Sequence, residues 1–186
     1  LEAPRAEGDS VTLFRHGHAT HPDWRMAAEL ALAQVDGRRG TPGWAAGGSL
    51  GLVYLTAGLA GNAEEVVALL RQRTGIAHWA GTVGHAIVGT GAEYEDEPAI
   101  SLMLCDLPED AFRVFSGAAP PPPPGARTSS GAVAAQAALV HADPATPELA
   151  ELVEDMAVKV ASGMLFGGIA SGGVEAWQAG RVLRAV

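Results

Sequence analysis

A chain of 186 residues with 48% apolar side chains has the length of one domain, able to bury roughly 70% of its unfolded surface without a staple. Its formal charge of −9 and 12 basic residues, of which Lys159 is the one lysine and Arg38-Arg39 the one adjacent pair, leave no basic stripe for a nucleic-acid backbone or an acidic membrane surface. The single cysteine, Cys105, excludes an internal disulfide and a thiolate metal site within one chain.

In chain order, Leu1–Ser10 reads as a tail without the basic and apolar regions of a signal peptide, and a single domain is expected over 11–186. Val11–Phe14 is the first strand, ending in the polar cluster Arg15 to His21. Thr20 or His21 then caps a helix with Trp24, Ala27, Ala28, Ala31 and Val35 at helical spacing and Gly37 as its stop. Arg38 to Ser49 is a loop. Leu50–Leu55 is a strand, and Asn62 with Glu65 forms a near capping box for a second helix that buries Val66, Val67, Leu69 and Leu70 and stops at Gly75. Strand, glycine loop and helix in that order predict adjacent strands joined by a crossover.

Ile76–Ala80 is a third strand, and the stretch Gly81 to Gly91 that follows is too rich in glycine for an ordinary one. Ile100–Leu104 and Phe112–Phe115 read as two strands in a hairpin-like pair. Residues 118–131 carry five consecutive prolines, so they form neither helix nor central strand and are expected to be an extended surface loop. After the strand Ala137–Val140, Thr146 caps a third helix with Pro147 at its first position. That helix is lined by Leu149, Leu152, Val153, Met156 and Val160, and Gly163 separates it from the strand Met164–Ile169. The sum is an α+β fold with a mixed sheet flanked by about three helices. No stretch reaches the roughly 18 apolar residues of a membrane span, and a soluble cytoplasmic protein is expected.

Signatures of nucleophilic, zinc-dependent or phosphate-loop chemistry are missing. Gly89-Thr90-Gly91 begins like a dinucleotide fingerprint, but Tyr94 stands where the third glycine belongs and Pro98 forbids a following helix. His16, His18 and His21 could share a transition metal or ligate haem, or simply make hydrogen bonds in a loop. His141 with Asp143, or the carboxylates Glu93, Glu95, Asp96 and Glu97, could serve a hydrolase or isomerase, although nothing places a nucleophile beside a base. The glycines carry more. Gly81, Gly84, Gly89 and Gly91, and again Gly167-Gly168 with Ser171-Gly172-Gly173, follow apolar runs and free the backbone to bend or approach a ligand closely. The candidate contacts are therefore the hydroxyls of Thr82, Thr90 and Ser171, the backbone at Gly84, Gly91 and Gly168, and the polar groups of His18, His85 and Glu93.

The series His18-Ala19-Thr20-His21-Pro22-Asp23-Trp24, Tyr54-Leu55-Thr56, Leu70-Arg71, Thr74-Gly75, Gly81-Thr82-Val83-Gly84, Gly91-Ala92-Glu93, Pro98-Ala99 and Gly167-Gly168-Ile169-Ala170-Ser171 resembles the N-terminal module of FIST-domain proteins, from about Val11 to Ser171. The resemblance implies a sensory or scaffold domain of intracellular signal-transduction and F-box proteins. It further implies a small ligand such as an amino acid, and for some bacterial members haem and nitric oxide; it brings no catalytic set. Family proteins continue into a companion C-terminal module. The partners expected are thus a small molecule, that module or a signalling protein, and a second copy if a sheet edge is left open. A non-enzymatic small-ligand sensor leads. A haem- or metal-based sensor and a protein-interaction scaffold stand as alternatives.

Overall fold

In the computed structural model, which describes residues 14–37, 48–115, 135–170, 176–178 and 181–183, the polar cluster after Phe14 is itself a strand. β1 spans Phe14–Thr20. Its inward positions are Arg15, Gly17 and Ala19, two of them too small to advertise a buried strand. Gly17 is small for a reason: a Cβ there would collide with the carbonyl of Ala31 in α1 (Trp24–Gly37), so the helix lies close against the strand. The cap of α1 is Asp23, not Thr20 or His21, because β1 holds the chain extended through Thr20. The Asp23 carboxylate accepts the Met26 N–H at 2.9 Å, the usual N-cap geometry. On the outer edge of β1, the Gln34 side-chain amide of α1 donates to the His18 carbonyl and accepts the His18 N–H.

β2 (Leu50–Thr56), a 3₁₀ turn (Ala57–Asn62), α2 (Ala63–Thr74) and β3 (His78–Gly84) follow. β2 and β3 pair in parallel from Leu50↔His78 to Thr56↔Gly84, which is the expected crossover. Val66, Val67, Leu69 and Leu70 are buried, and Gly75 closes α2 in the left-handed conformation at φ 75° with its N–H on the Arg71 carbonyl. Asn62 makes no side-chain capping bond, since the 3₁₀ turn already leads into the helix. The glycine-dense run resolves into the end of β3 and a hairpin of β4 (Ala86–Gly89) and β5 (Ala92–Glu95), with Gly91 at φ 78° in the turn. β6 spans Ala99–Cys105. Phe112–Phe115 forms no strand; the Phe112 ring instead meets the His78 ring edge-on at 5.6 Å.

β7 (Ala137–Ala142), α3 (Leu149–Val158) and β8 (Met164–Ile169) make a second parallel β-α-β unit. Thr146 does not cap α3. Asp143 folds back to accept the Ala145 N–H, and Glu148 enters the helix at φ 54°. The apolar side of α3 buries no residue within the helix, and Leu152, Val153, Met164, Phe166 and Ile169 are exposed. β9 (Ala176–Gln178) and β10 (Arg181–Leu183) complete the main sheet. Its order is β1-β6-β2-β3-β9-β10, with β2–β3 parallel and the other neighbours antiparallel.

The core lies between one face of this sheet and α1 and α2. Val53, Leu55, Val83, Ile100, Leu102 and Leu104 meet Ala27, Ala28, Ala31 and Val35 of α1 and Val66 and Leu70 of α2. Trp79 is fully buried, donates its indole N–H to the Ile76 carbonyl at 3.0 Å, and fits only because Gly51 opposite lacks a side chain. An exposed Arg73–Glu29 ion pair links the two helices, a contact of small worth in water. The described residues form an α+β architecture with mixed sheets and three α-helices, as the sequence predicts. The tail 1–10, the proline-rich stretch 118–131 and Ser171 lie outside the described residues. No helix among the described residues is long and apolar enough to cross a membrane.

Candidate functional site

Because side chains alternate along a strand, the register that buries one face of the sheet sets a polar row on the other. His18 stands opposite Ser101, Ser101 opposite Tyr54, and Tyr54 opposite Thr82, with Ala176 beyond. At about 4.8 Å between strands the row from His18 to Thr82 covers about 14 Å. The β4–β5 hairpin folds over this face. Ile87 and Tyr94 pack with Ala99, Tyr54 and Ala92, and two hydrogen bonds fix the hairpin to β1. The Tyr94 hydroxyl meets His18 Nδ1 at 2.6 Å, in a buried contact, and the Thr90 hydroxyl meets His16 Nε2 at 2.8 Å. Gly89 sits directly on the His18 ring, where a Cβ would fall 2.5 Å from Cγ.

The second strand pair reaches the same row. The Tyr54 hydroxyl lies 3.1 Å from His141 Nε2 of β7, with the rings edge-on at 5.4 Å. Burial pushes the His141 pKa down and, with Cys105 nearby, pushes that of Tyr54 up. The contact thus joins a neutral imidazole and an intact phenol. Burial, reinforced by Glu97, likewise keeps Tyr94 a phenol. The Cys105 thiol is pushed up to about 11 by burial, with Arg15 opposing, so it is a core thiol and no nucleophile.

Three buried threonines have contrasting fates. Thr56 donates to the Glu97 carbonyl at 2.6 Å and accepts the Ala99 N–H at 2.8 Å. Thr74 donates to the Leu70 carbonyl and accepts the Ile76 N–H. Thr82, 8% exposed, has no hydrogen-bond partner for its hydroxyl among the described residues. Buried hydroxyls are ordinarily paired, and an unpaired one marks either a cost or a vacancy for a partner.

The family model of the FIST N domain matches residues 49–185, well over half of the 186 residues. The chain belongs to the FIST family. That domain is described as a sensory domain of signal-transduction proteins. The match begins at the start of β2, so Tyr54, Thr82, Tyr94 and Ser101 of the polar row fall within the FIST N stretch, while His16 and His18 on β1 precede it. No curated protein and no solved structure is matched by the chain.

On this FIST N scaffold the residues anticipated from sequence divide. His18, Thr82 and Thr90 come to the covered face. Gly84 ends β3 beneath the Ala86 carbonyl, which a Cβ would meet at 2.9 Å. Gly91 shapes the hairpin turn. His85 and Glu93 are exposed, Glu93 because it alternates with Tyr94 and so takes the outer face of the hairpin. Gly168 lies in β8, exposed and opposite His141.

The histidine cluster does not converge. His16 is held by Thr90, His18 by Tyr94 under Gly89, and His21 Nδ1 accepts the Asp23 N–H at the start of α1. Among the described residues no group of three His, Cys, Asp or Glu is placed to hold a metal. Haem finds no fit at His18, whose ring is buried and roofed by backbone. His141 and Asp143 form no dyad, since one bonds Tyr54 and the other its own turn. Tyr54, Tyr94 and Ser101 were not singled out from sequence. For Tyr54 and Ser101 the signal was available in the alternate positions of the apolar strands β2 and β6, and for both tyrosines in the fact that the chain has only two.

Proposed function

We propose that this chain is a non-enzymatic, small-ligand-binding sensory domain of intracellular signal transduction, and that the ligand sits on the polar row beneath the β4–β5 hairpin. The observation that carries this reading is the Thr82 hydroxyl, buried and unpartnered beside Tyr54. Thr56 and Thr74 on neighbouring elements are fully satisfied, so the shortfall is local to one spot. A ligand group that bonds Thr82 would recover the cost of the buried hydroxyl, about 1–3 kcal/mol. Amino acids and related metabolites are the first ligands to try, and the state of the domain would be read by a companion C-terminal module or a signalling protein.

Calorimetry and thermal-shift measurements against a broad panel of amino acids, amides and small carboxylates test the reading. Saturable stabilisation by a panel member, weakened in Thr82→Val, is expected. A flat response across the panel, or a response unchanged in that variant, would remove the support for a site here.

A further inference from the structure

We infer that the ligand group received at the Thr82 end of the row is uncharged, a primary amide or a hydroxyl rather than a carboxylate or an ammonium. This rests on the reading of that face as a binding site. Its basis is an absence of charge that spans four strands. None of the positions of β1, β6, β2 and β3 that share a face with His18, Ser101, Tyr54 and Thr82 is Asp, Glu, Lys or Arg. Arg15, the charged residue of β1, belongs to the opposite, helix-covered side, one position out of phase with His16. The Glu97 carboxylate is taken up with the Thr20 hydroxyl on β1, three strands from Thr82, or about 14 Å. Glu93 and Glu95 point away on the outer face of the hairpin.

Backbone donors cannot substitute for a missing cation. β2 lies between β6 and β3, and β3 between β2 and β9, so the N–H groups around Tyr54 and Thr82 are engaged in ladders rather than gathered into an anion nest. The groups left to meet a ligand are neutral and both donate and accept: the Thr82 hydroxyl, the Tyr54 phenol and the His141 imidazole bonded to it. An ionised group brought here would lose its water and gain no counter-charge, whereas an amide or hydroxyl can satisfy a donor and an acceptor at once.

The chain's two tyrosines, Tyr54 and Tyr94, both stand on this face and give a direct readout. Protein carrying ring-labelled tyrosine is titrated with propionamide, its isostere propionate, and propylammonium, three probes of similar size and different charge, while the two sets of tyrosine signals are followed by NMR. Propionamide is expected to move the Tyr54 signals saturably, at least about tenfold more tightly than either ion. Thr82→Val should weaken that response about tenfold, and Thr82→Ser, which keeps the hydroxyl, should retain it. A Tyr54 response to propionate or propylammonium that matches propionamide and depends on Thr82 would overturn the uncharged class and leave the site standing. Silence from all three probes would overturn the site and the class together.

Discussion

The two faces of the six-stranded sheet are built from the same strands, alternate residue by alternate residue, yet they are governed by different physics. The face under α1 and α2 is closed: Trp79, Leu55, Ile100 and Leu102 are fully buried, and glycines at Gly17 and Gly51 stand where a neighbour fills the space of a side chain. The face under the hairpin is only partly closed, with His18 and Thr82 buried and Tyr54 and Ser101 half-buried; its row is polar, tied by two tyrosine–histidine bonds, and has one buried hydroxyl left unsatisfied. Burial by itself therefore does not mark a core. What separates the two faces is whether the buried polar atoms are accounted for.

Substitutions should break the faces apart in measurable order. Trp79→Ala empties the largest fully buried side chain and is expected to cost about 3–5 kcal/mol, read as a lower midpoint in chemical denaturation. Gly17→Ala drives a methyl into the Ala31 carbonyl, and α1 must move off the sheet, at a cost of about 1–3 kcal/mol. Thr82→Val, on the other face, should have the opposite sign. Removing the unpaired buried hydroxyl raises stability by about 1 kcal/mol while weakening the ligand response about tenfold. Loss of stability in that variant would mean that the hydroxyl is already satisfied.

The smallest effect is a pH dependence. His141 has a folded pKa below its ordinary value near 6.5, so the unfolded chain takes up its proton first. Stability from this group is present above about pH 6.5 and falls as pH drops through the window between that value and the lower folded one. Melting temperatures compared at roughly pH 7.5 and pH 5.5 should fall less in His141→Asn than in the parent chain, and an equal fall in both would place the proton uptake elsewhere.

Much of the closed face was legible in the sequence, because helical spacing in α1 and α2 and the apolar runs of β2 and β6 report burial directly. β1 was not. Its inward residues are Gly17, Ala19 and Arg15, and the tight approach of α1 removed the apolar signal that alternation would otherwise have left. The start of α3 was misplaced because Thr146-Pro147-Glu148 has a strong capping pattern that the turn at Asp143 overrides. For the candidate site, Thr82 and His18 were recognisable from the glycine-flanked strands around them, while Tyr54 and Tyr94 acquire their role from partners 87 and 76 residues away. Such pairings are set by register, which no local pattern encodes.

Gln34 has a consequence for how the sheet can grow. By matching both the donor and the acceptor of His18, its amide imitates one rung of a missing strand and terminates the ladder at β1. An incoming strand would have to break both contacts together and dislodge a side chain anchored on α1, so the outer edge of β1 makes a poor template for another chain. At that rung Gln34 thereby guards the side of the molecule against edge-to-edge pairing.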